Sequence, residues 1–134
     1  MRDTLYTTPR RGAHYHAVSR PPPPTLLGAK RRGADPVFRP ENLLREARRQ
    51  RRLPEGAVPA ICALDPDGDA VRWLRAQARA RPVPSWACYH TELDAFEQDG
   101  VTIGVVGGAI GASFAVLVAE QLFVSGCRLL LSVT

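Results

Sequence analysis

The segment from Val101 to Thr134 constrains the fold of this chain more than any other part of its sequence. It combines a strand pattern, a glycine-rich loop, an apolar helix pattern and a second strand pattern, at Val101–Val106, Gly107–Gly111, Ala112–Ser125 and Arg128–Thr134. A strand that leads through a glycine loop into a helix is a common unit of α/β proteins, and the free N–H groups of its helix suit phosphate. We therefore expect an α/β domain with an anion-binding loop.

The residues before this segment continue the alternation of helices and strands. A helix begins near Arg39-Pro40-Glu41-Asn42, because proline suits the first turn, and Pro54 ends it. The other predicted elements are strands over Val58–Leu64 and Trp86–Leu93, a helix over Asp69–Arg81 and a hairpin turn at Gln98-Asp99-Gly100. Together they predict a partial αβα sandwich with a mixed, largely parallel sheet.

The last strand pattern, Leu129–Thr134, is apolar enough for a central strand that is buried on both faces. Central strands in α/β folds are followed by more structure, so we expect a chain that is truncated at its C-terminus. A strand left with an open edge pairs with other chains. We therefore also expect self-association, with a homo-oligomer as one form.

Composition and charge divide the chain. Residues 1–36 contain the proline run Pro21–Pro24 and the basic run Lys30–Arg32, with too few apolar residues to fold. We predict a disordered leader there, rich in proline and arginine, and one domain over residues 37–134. Residues 1–52 hold 13 basic and 4 acidic residues, whereas the remainder holds 5 and 9. The arginine-rich helix within residues 39–52 either lies on the core with its polar side in water or follows phosphates.

Cysteine usage and the N-terminal residues indicate a compartment. The three cysteines are spaced by 26 and 39 residues, which matches no metal or redox motif. Residues 1–19 lack the apolar core of a secretory signal. We expect a cytoplasmic protein with buried, inert thiols and no metal ion.

Two interpretations of the glycine loop compete with a phosphate turn. Gly107-x-Ala109-x-x-Ala112 follows the dinucleotide fingerprint of FAD- and NAD-binding domains, but alanine replaces its middle glycine and no acid ends the next strand. Residues 101–119 carry no charge and contain Gly107-x-x-x-Gly111, as a membrane helix would. Glycines and the preceding hairpin turn disfavour that second interpretation.

The same segment resembles the nucleoside phosphorylase superfamily, which includes purine and uridine phosphorylases. Gly107–Gly111 stands at the family's Gly-x-Gly-x-Gly-like loop, Ala119–Leu122 at its Thr/Ala-Glu-Leu helix element, and Gly126–Thr134 at the strand that leads to a phosphate site. Ala60–Asp69 is similar to the family's first strand and its Gly-Asp-Pro-x-Arg turn. The resemblance covers residues 37–134, the N-terminal half of such an enzyme.

The resemblance implies a function. Inorganic phosphate, as co-substrate, attacks the glycosidic bond of a nucleoside and gives a free base and a pentose 1-phosphate, with no other cofactor. It places Asp65, Gly107, Gly108 and Ser132 at a phosphate or nucleoside site and assigns no catalytic residue. It implies a small-molecule nucleoside partner, without a specific nucleic acid or a membrane.

Two departures from the family pattern bear on activity. Gly68 stands where the family has its phosphate-binding arginine, and Ser132 where many members have a second one. We therefore expect an incomplete fragment that is inactive by itself. The alternative is a non-catalytic remnant that binds phosphate or a nucleotide.

The tetrapeptide Tyr89-His90-Thr91-Glu92 is a further candidate site. On a strand, His90 and Glu92 would share one face, and a histidine–carboxylate pair is suited to acid–base chemistry. A partly exposed pair without a catalytic role is the other interpretation.

Overall fold

A computed structural model describes residues 33–133 of the chain. Its elements, in chain order, are α1 (Pro40–Arg51), β1 (Ile61–Asp65), α2 (Asp69–Ala76), β2 (Arg81–Pro82), β3 (Asp94–Gln98), β4 (Val101–Gly107), α3 (Ala112–Val124) and β5 (Leu129–Ser132). All of them belong to one compact unit that begins at Asp35. The predicted disorder of the leader concerns residues that lie almost entirely outside the described range.

The five strands form one mixed sheet with the order β2-β3-β4-β1-β5. β1 is parallel to both of its neighbours, β4 and β5. β3 is antiparallel to both β2 and β4. The predicted α/β class and mixed sheet are confirmed.

Successive side chains of β1 pack against different helices, which shows which helix covers each face of the sheet. Cys62 and Leu64 of β1 belong to the core cluster that contains Val118 and Leu122 of α3. Ala63, between them, packs with the cluster formed by α2 and β4. Because successive side chains of a strand point to opposite faces, α2 and α3 cover opposite faces of the sheet.

The remaining helix, α1, lies on the same face of the sheet as α3 and contacts it. Its buried residues Leu44 and Ala47 pack against Ala87, with Leu53 beside them. Pro40 occupies the first turn, and Arg52 ends the helix in the left-handed conformation. The sandwich therefore has two helices on one face and one on the other.

The predicted strand over Trp86–Leu93 is wrong. These residues form an irregular connection, and β3 begins only at Asp94. The connection is nonetheless buried, because Trp86 and Cys88 enter the main core and Ala87 packs under α1. Aromatic and β-branched side chains raise strand propensity, but here they fill space between a helix and the sheet.

The second predicted helix is shorter than expected. α2 ends at Ala76, and Ala78 takes a left-handed backbone conformation with φ 53°. The chain then joins the sheet edge at Arg81 and Pro82, a position that tolerates proline because one side of an edge strand makes no ladder bonds.

The last predicted strand is present and has the open edge that is expected of it. β5 is an edge strand that pairs with β1 alone among the described strands. Leu129 and Leu131 are each 49% exposed. An apolar run indicates a tendency to be buried, but it does not specify the neighbours that bury it.

The membrane-helix interpretation of residues 101–119 does not fit the structure. That stretch is divided among β4, a loop and the first part of α3. Within residues 33–133, no helix has the length and apolar character needed to cross a bilayer.

Candidate functional site

The two parallel strands β1 and β4 lie side by side, and their register pairs Asp65 with Gly107 at the carboxyl ends. The helix after β1 covers one face of the sheet, and the helix after β4 covers the other. In open α/β sheets, a crevice forms where neighbouring strands send their connections to opposite faces, and ligands bind there. The topology therefore places the candidate site at the carboxyl ends of β1 and β4.

Two glycine turns meet at this position. Gly68 precedes α2 with φ 74°, and a Cβ atom built on Gly107 would lie 3.4 Å from the Cα of Gly68. The same Cβ atom would lie 3.2 Å from a methyl group of Val71. Gly107 is therefore required for the close packing of α2 on β4. Next to it, the N–H of Gly108 donates to the carbonyl oxygen of Asp65 at 2.9 Å.

A cleft of about 280 Å³ opens above these turns. Its lining consists of both glycine turns, one side of α2 and the segment before β3: Asp67, Gly68, Val71, Arg72, Arg75, His90, Thr91, Glu92, Asp94, Gly107 and Gly108. The cleft thus combines small backbone turns with two guanidinium groups, an imidazole and three carboxylates. Arg75 occupies the carboxylates of Glu92 and Asp94, and the turns and Arg72 offer donors to an anionic ligand.

Arg72 lies over the first glycine turn. Its Nη1 donates to the carbonyl oxygen of Asp67 at 3.0 Å and lies 3.2 Å from the Cβ position of Gly68. Its other terminal nitrogen forms an ion pair with Asp69. The Arg72 side chain is 68% exposed, so it can exchange this weak partner for a ligand oxygen.

Arg75, the second guanidinium, is held by two carboxylates. It contacts Glu92 at 2.6 Å and Asp94 at 2.6 Å. The hydrogen bond that Arg75 donates to Glu92 is the main cause of a raised Arg75 pKa, and the one that it donates to Asp94 is the next. The Asp94 side chain is only 3% exposed. Arg75 therefore ties α2 to the start of β3 and neutralises a buried charge.

His90 faces aromatic neighbours at the other wall of the cleft. Its ring centroid lies 6.3 Å from that of Phe114, in the first turn of α3, and 6.4 Å from that of Tyr89. Glu92 is engaged by Arg75, and no hydrogen bond joins it to His90 within residues 33–133. The segment is not a strand, so the strand face expected for His90 and Glu92 does not exist, but both residues line the cleft.

The four residues that the resemblance placed at a phosphate or nucleoside site are not all brought together. Gly107 and Gly108 line the cleft. Asp65 lies below it, 6% exposed, and its Oδ2 accepts a hydrogen bond from the backbone N–H of Val71 at 2.9 Å. Ser132 is exposed on β5, beside Leu64, and is not part of the cleft lining. Asp65 thus holds the start of α2, and only the two glycines face the cleft.

Sequence reasoning did not single out Arg72 or Arg75 as cleft residues. A signal for Arg72 was present, because it stands four residues after Gly68, one turn into a helix that was predicted to begin at Asp69. The contact between Arg75 and the segment before β3 joins residues 17 and 19 positions apart. No local pattern predicts a contact of that range.

The dinucleotide interpretation requires an arrangement that this sheet does not have. In a Rossmann unit, the strand before the glycine loop pairs with the strand after the helix. Here β1 lies between β4 and β5, and Ala109, at the middle glycine position, is buried. In the described part of the chain, no group of three or more potential metal ligands is present.

Comparison of the chain with protein-family models, with curated proteins and with solved structures finds no match. What the cleft binds is therefore inferred from its own residues.

Proposed function

We propose that the cleft at the carboxyl ends of β1 and β4 binds inorganic phosphate, as the phosphate side of a nucleoside phosphorylase-like site. One observation carries the proposal: two glycine turns touch at the point where the connections diverge, and Arg72 lies over them. Glycines let an anion approach the backbone closely, and a guanidinium group binds phosphate through two parallel N–H bonds.

The present contacts of Arg72 are weak, and this supports the proposal. Its ion pair with Asp69 is solvent-exposed on both sides, and such pairs contribute about 0–1 kcal/mol. A phosphate dianion offers the same guanidinium more charge and more acceptor oxygens. Arg72 also approaches Gly68, where the resembled family has its phosphate-binding arginine. A neighbouring helix thus supplies the charge that the turn itself lacks.

The reaction proposed for the complete site is phosphorolysis. A phosphate oxygen forms a bond to the anomeric carbon of the pentose, the glycosidic C–N bond breaks, and its electron pair leaves with the base. The proton that hydrogen phosphate gives up as the new C–O bond forms is transferred to the leaving base. Thr91 and His90 line the cleft beside the phosphate position and offer a hydroxyl and an imidazole to the hydroxyl groups of the pentose.

Gly108→Asp tests the proposal with a closely matched control, Gly100→Asp. Both glycines have a left-handed backbone, with φ 75° and 77°, and both have open space around a new Cβ atom. The two variants therefore carry the same backbone strain and the same added charge. Only Gly108 lies in the cleft, whereas Gly100 lies in the β3–β4 turn. A carboxylate about 4 Å from the phosphate costs roughly 4 kcal/mol at an effective dielectric near 20.

The measurement is thermal unfolding with and without phosphate, at constant ionic strength. We expect phosphate to raise the Tm of the wild type and of Gly100→Asp, and to leave that of Gly108→Asp unchanged. Arg72→Gln should weaken phosphate binding at least tenfold, whereas Arg81→Gln, which removes an exposed arginine on β2, should not. No phosphate effect in the wild type, or an equal effect in Gly108→Asp, refutes the proposal.

A second candidate function is phosphate binding without turnover. One observation favours it: the cleft carboxylates Glu92 and Asp94 are both engaged by Arg75. A carboxylate whose oxygens already accept hydrogen bonds from a guanidinium has less capacity to bind and orient a substrate group. An assay for base release, described below, distinguishes binding alone from phosphorolysis.

A further inference from the structure

The helix α1 presents two different sides. Its apolar residues Leu44 and Ala47 are buried. Away from them, four arginines share one side; we call this surface the α1 arginine patch, and its members are Arg45, Arg48, Arg49 and Arg52. Together with Leu53 and Glu55, the patch lines a shallow depression of about 500 Å³.

The spacing of the patch follows from helix geometry. Its arginines stand at positions i, i+3, i+4 and i+7, which lie on one face of a helix. Arg52 adopts the left-handed conformation with φ 54°, and its N–H donates to the carbonyl oxygen of Arg48. This cap keeps the last arginine next to the final turn. Seven residues at about 1.5 Å each give the patch a length of roughly 10 Å.

The charges of the patch are only partly compensated. Glu46 pairs with Arg49 at 2.9 Å and contacts Arg45 at 3.9 Å. Among residues 33–133, Arg52 has no carboxylate partner, and the buried Nε of Arg48 has no hydrogen-bond partner. The one hydrogen bond of the Arg48 side chain in that range is a long one, 3.4 Å to the carbonyl oxygen of Ser85. Arg52 therefore has no carboxylate competing for its guanidinium group, whereas the unpaired donor of Arg48 is buried.

We infer that the α1 arginine patch binds the phosphate backbone of a nucleic acid without sequence preference. Each strand of a duplex presents one phosphate charge per roughly 3.4 Å of helix axis, so a patch of about 10 Å faces about three phosphates. Guanidinium forks match phosphate oxygens in geometry as well as in charge. Contacts to the backbone alone fix position and carry no sequence information.

The structure favours a nucleic acid over a membrane. A helix that lies in a bilayer interface inserts an apolar side, but the apolar side of α1 is buried against Ala87. Residues 1–52 also hold 13 basic and 4 acidic residues, which adds long-range attraction to a polyanion.

The test is fluorescence anisotropy with the full chain and a labelled single-stranded DNA of mixed sequence, about 20 nucleotides long, at several salt concentrations. The variant Arg45→Gln/Arg49→Gln/Arg52→Gln removes three charges from the patch. The variant Arg79→Gln/Arg81→Gln/Arg128→Gln removes three arginine charges from elsewhere on the described unit. A third variant, Lys30→Gln/Arg31→Gln/Arg32→Gln, removes three charges from the leader.

We expect the patch variant to bind at least tenfold more weakly at low salt, with a salt dependence shallower by about 2 in logarithmic slope. Its thermal stability should match that of the wild type. The control variant should bind within twofold to threefold of the wild type, and a second DNA sequence should bind equally well.

Three results would overturn the inference. One is binding that the leader variant abolishes and the patch variant leaves unchanged. Another is tighter binding to phosphatidylserine vesicles than to DNA, and the last is equal competition by polyglutamate at matched charge.

Discussion

At the scale of single residues, Arg75 is the clearest case of a side chain whose loss would leave a buried charge. Its partner Asp94 has a side chain that is 3% exposed, whereas the Arg75 side chain itself is 47% exposed. Removing one member of a buried pair is costly because the remaining charge stays desolvated. The partial exposure of Arg75 reduces this cost through solvent screening.

We predict that Arg75→Ala lowers the free energy of unfolding by about 1–3 kcal/mol. Urea unfolding measures it, with Arg49→Ala as the control for an exposed ion pair, expected to cost at most about 0.5 kcal/mol. The double variant Arg75→Ala/Asp94→Asn should recover part of the loss, since it leaves no unpaired buried charge and Glu92 is exposed. Equal effects of Arg75→Ala and Arg49→Ala would contradict this account.

The burial of Cys62 makes the free energy of unfolding depend on pH. Burial raises the pKa of its thiol to about 12 from 9.0, with Cys127 as the next cause. The folded state therefore keeps this proton between pH 9 and 12, whereas the unfolded state releases it. The stabilisation is fully present below pH 9 and is lost as the pH rises toward 12, at about 1.4 kcal/mol per pH unit.

We predict that wild-type stability falls more steeply above pH 9 than that of Cys62→Ala. The substitution lowers stability at every pH by leaving a small cavity, but it removes the thiol that titrates. Unfolding midpoints in urea at pH 8, 9.5 and 10.5 compare the two slopes. Parallel curves for the two proteins would show that Cys62 does not titrate as its burial requires.

At the scale of elements, the sequence predicts the helices and turns whose ends carry local signals. Pro40 and Pro54 bracket α1, and Asp99-Gly100 forms the turn between β3 and β4, as predicted. Trp86–Leu93 was mistaken for a strand because its conformation depends on α1 and the sheet, which lie far away in sequence. Strand propensity is a local property of the sequence, so it does not predict a contact with distant residues.

The candidate site divides in the same way. The turn glycines Gly107 and Gly108 were predicted, since a glycine loop between a strand and a helix is a local pattern. The ion pairs of Arg75 and the approach of His90 to Phe114 depend on tertiary packing. Asp65 was predicted from the resemblance, but it does not line the cleft. Its carboxylate accepts a hydrogen bond from the backbone N–H of Val71.

The open edge of β5 leads us to predict self-association of the chain. Its outer edge has no strand beside it in the described range, and Leu129, Leu131 and Val133 are about half exposed. Open apolar edges pair with other chains, and a lysine on such an edge opposes pairing. We expect light scattering to show oligomers of the wild type and a larger monomer fraction for Leu131→Lys. A wild-type monomer peak near 14.6 kDa that persists for days would contradict this expectation.

At the scale of the whole chain, the proposed phosphate binding and the proposed turnover require different groups. Arg75 engages the cleft carboxylates Glu92 and Asp94, and Ser132 lies outside the cleft lining. The cleft therefore offers donors to an anion, and two of its three carboxylates are occupied by Arg75, whereas Asp67 has no ion-pair partner in the described range. Gly68 and Ser132 stand where the resembled family has arginines, so we expect no turnover by this chain.

We predict that the purified chain releases no base from purine or pyrimidine nucleosides in the presence of phosphate. Chromatography of the reaction mixture, compared with a mixture without protein, measures the free base. The phosphate-dependent rise in Tm should persist in the same preparation. Base release above the control would contradict this prediction and support phosphorolysis.

The order of the strands also governs how the chain folds during synthesis. β1 pairs with two strands that follow it, because Ile61 is in register with Ile103 and with Leu129, 42 and 68 residues later. The β3–β4 hairpin closes within microseconds of its synthesis. At roughly 5–20 residues per second, a ribosome needs about 3–14 s to pass from β1 to β5. Throughout that interval, the edge of β1 that later pairs with β5 has no partner strand.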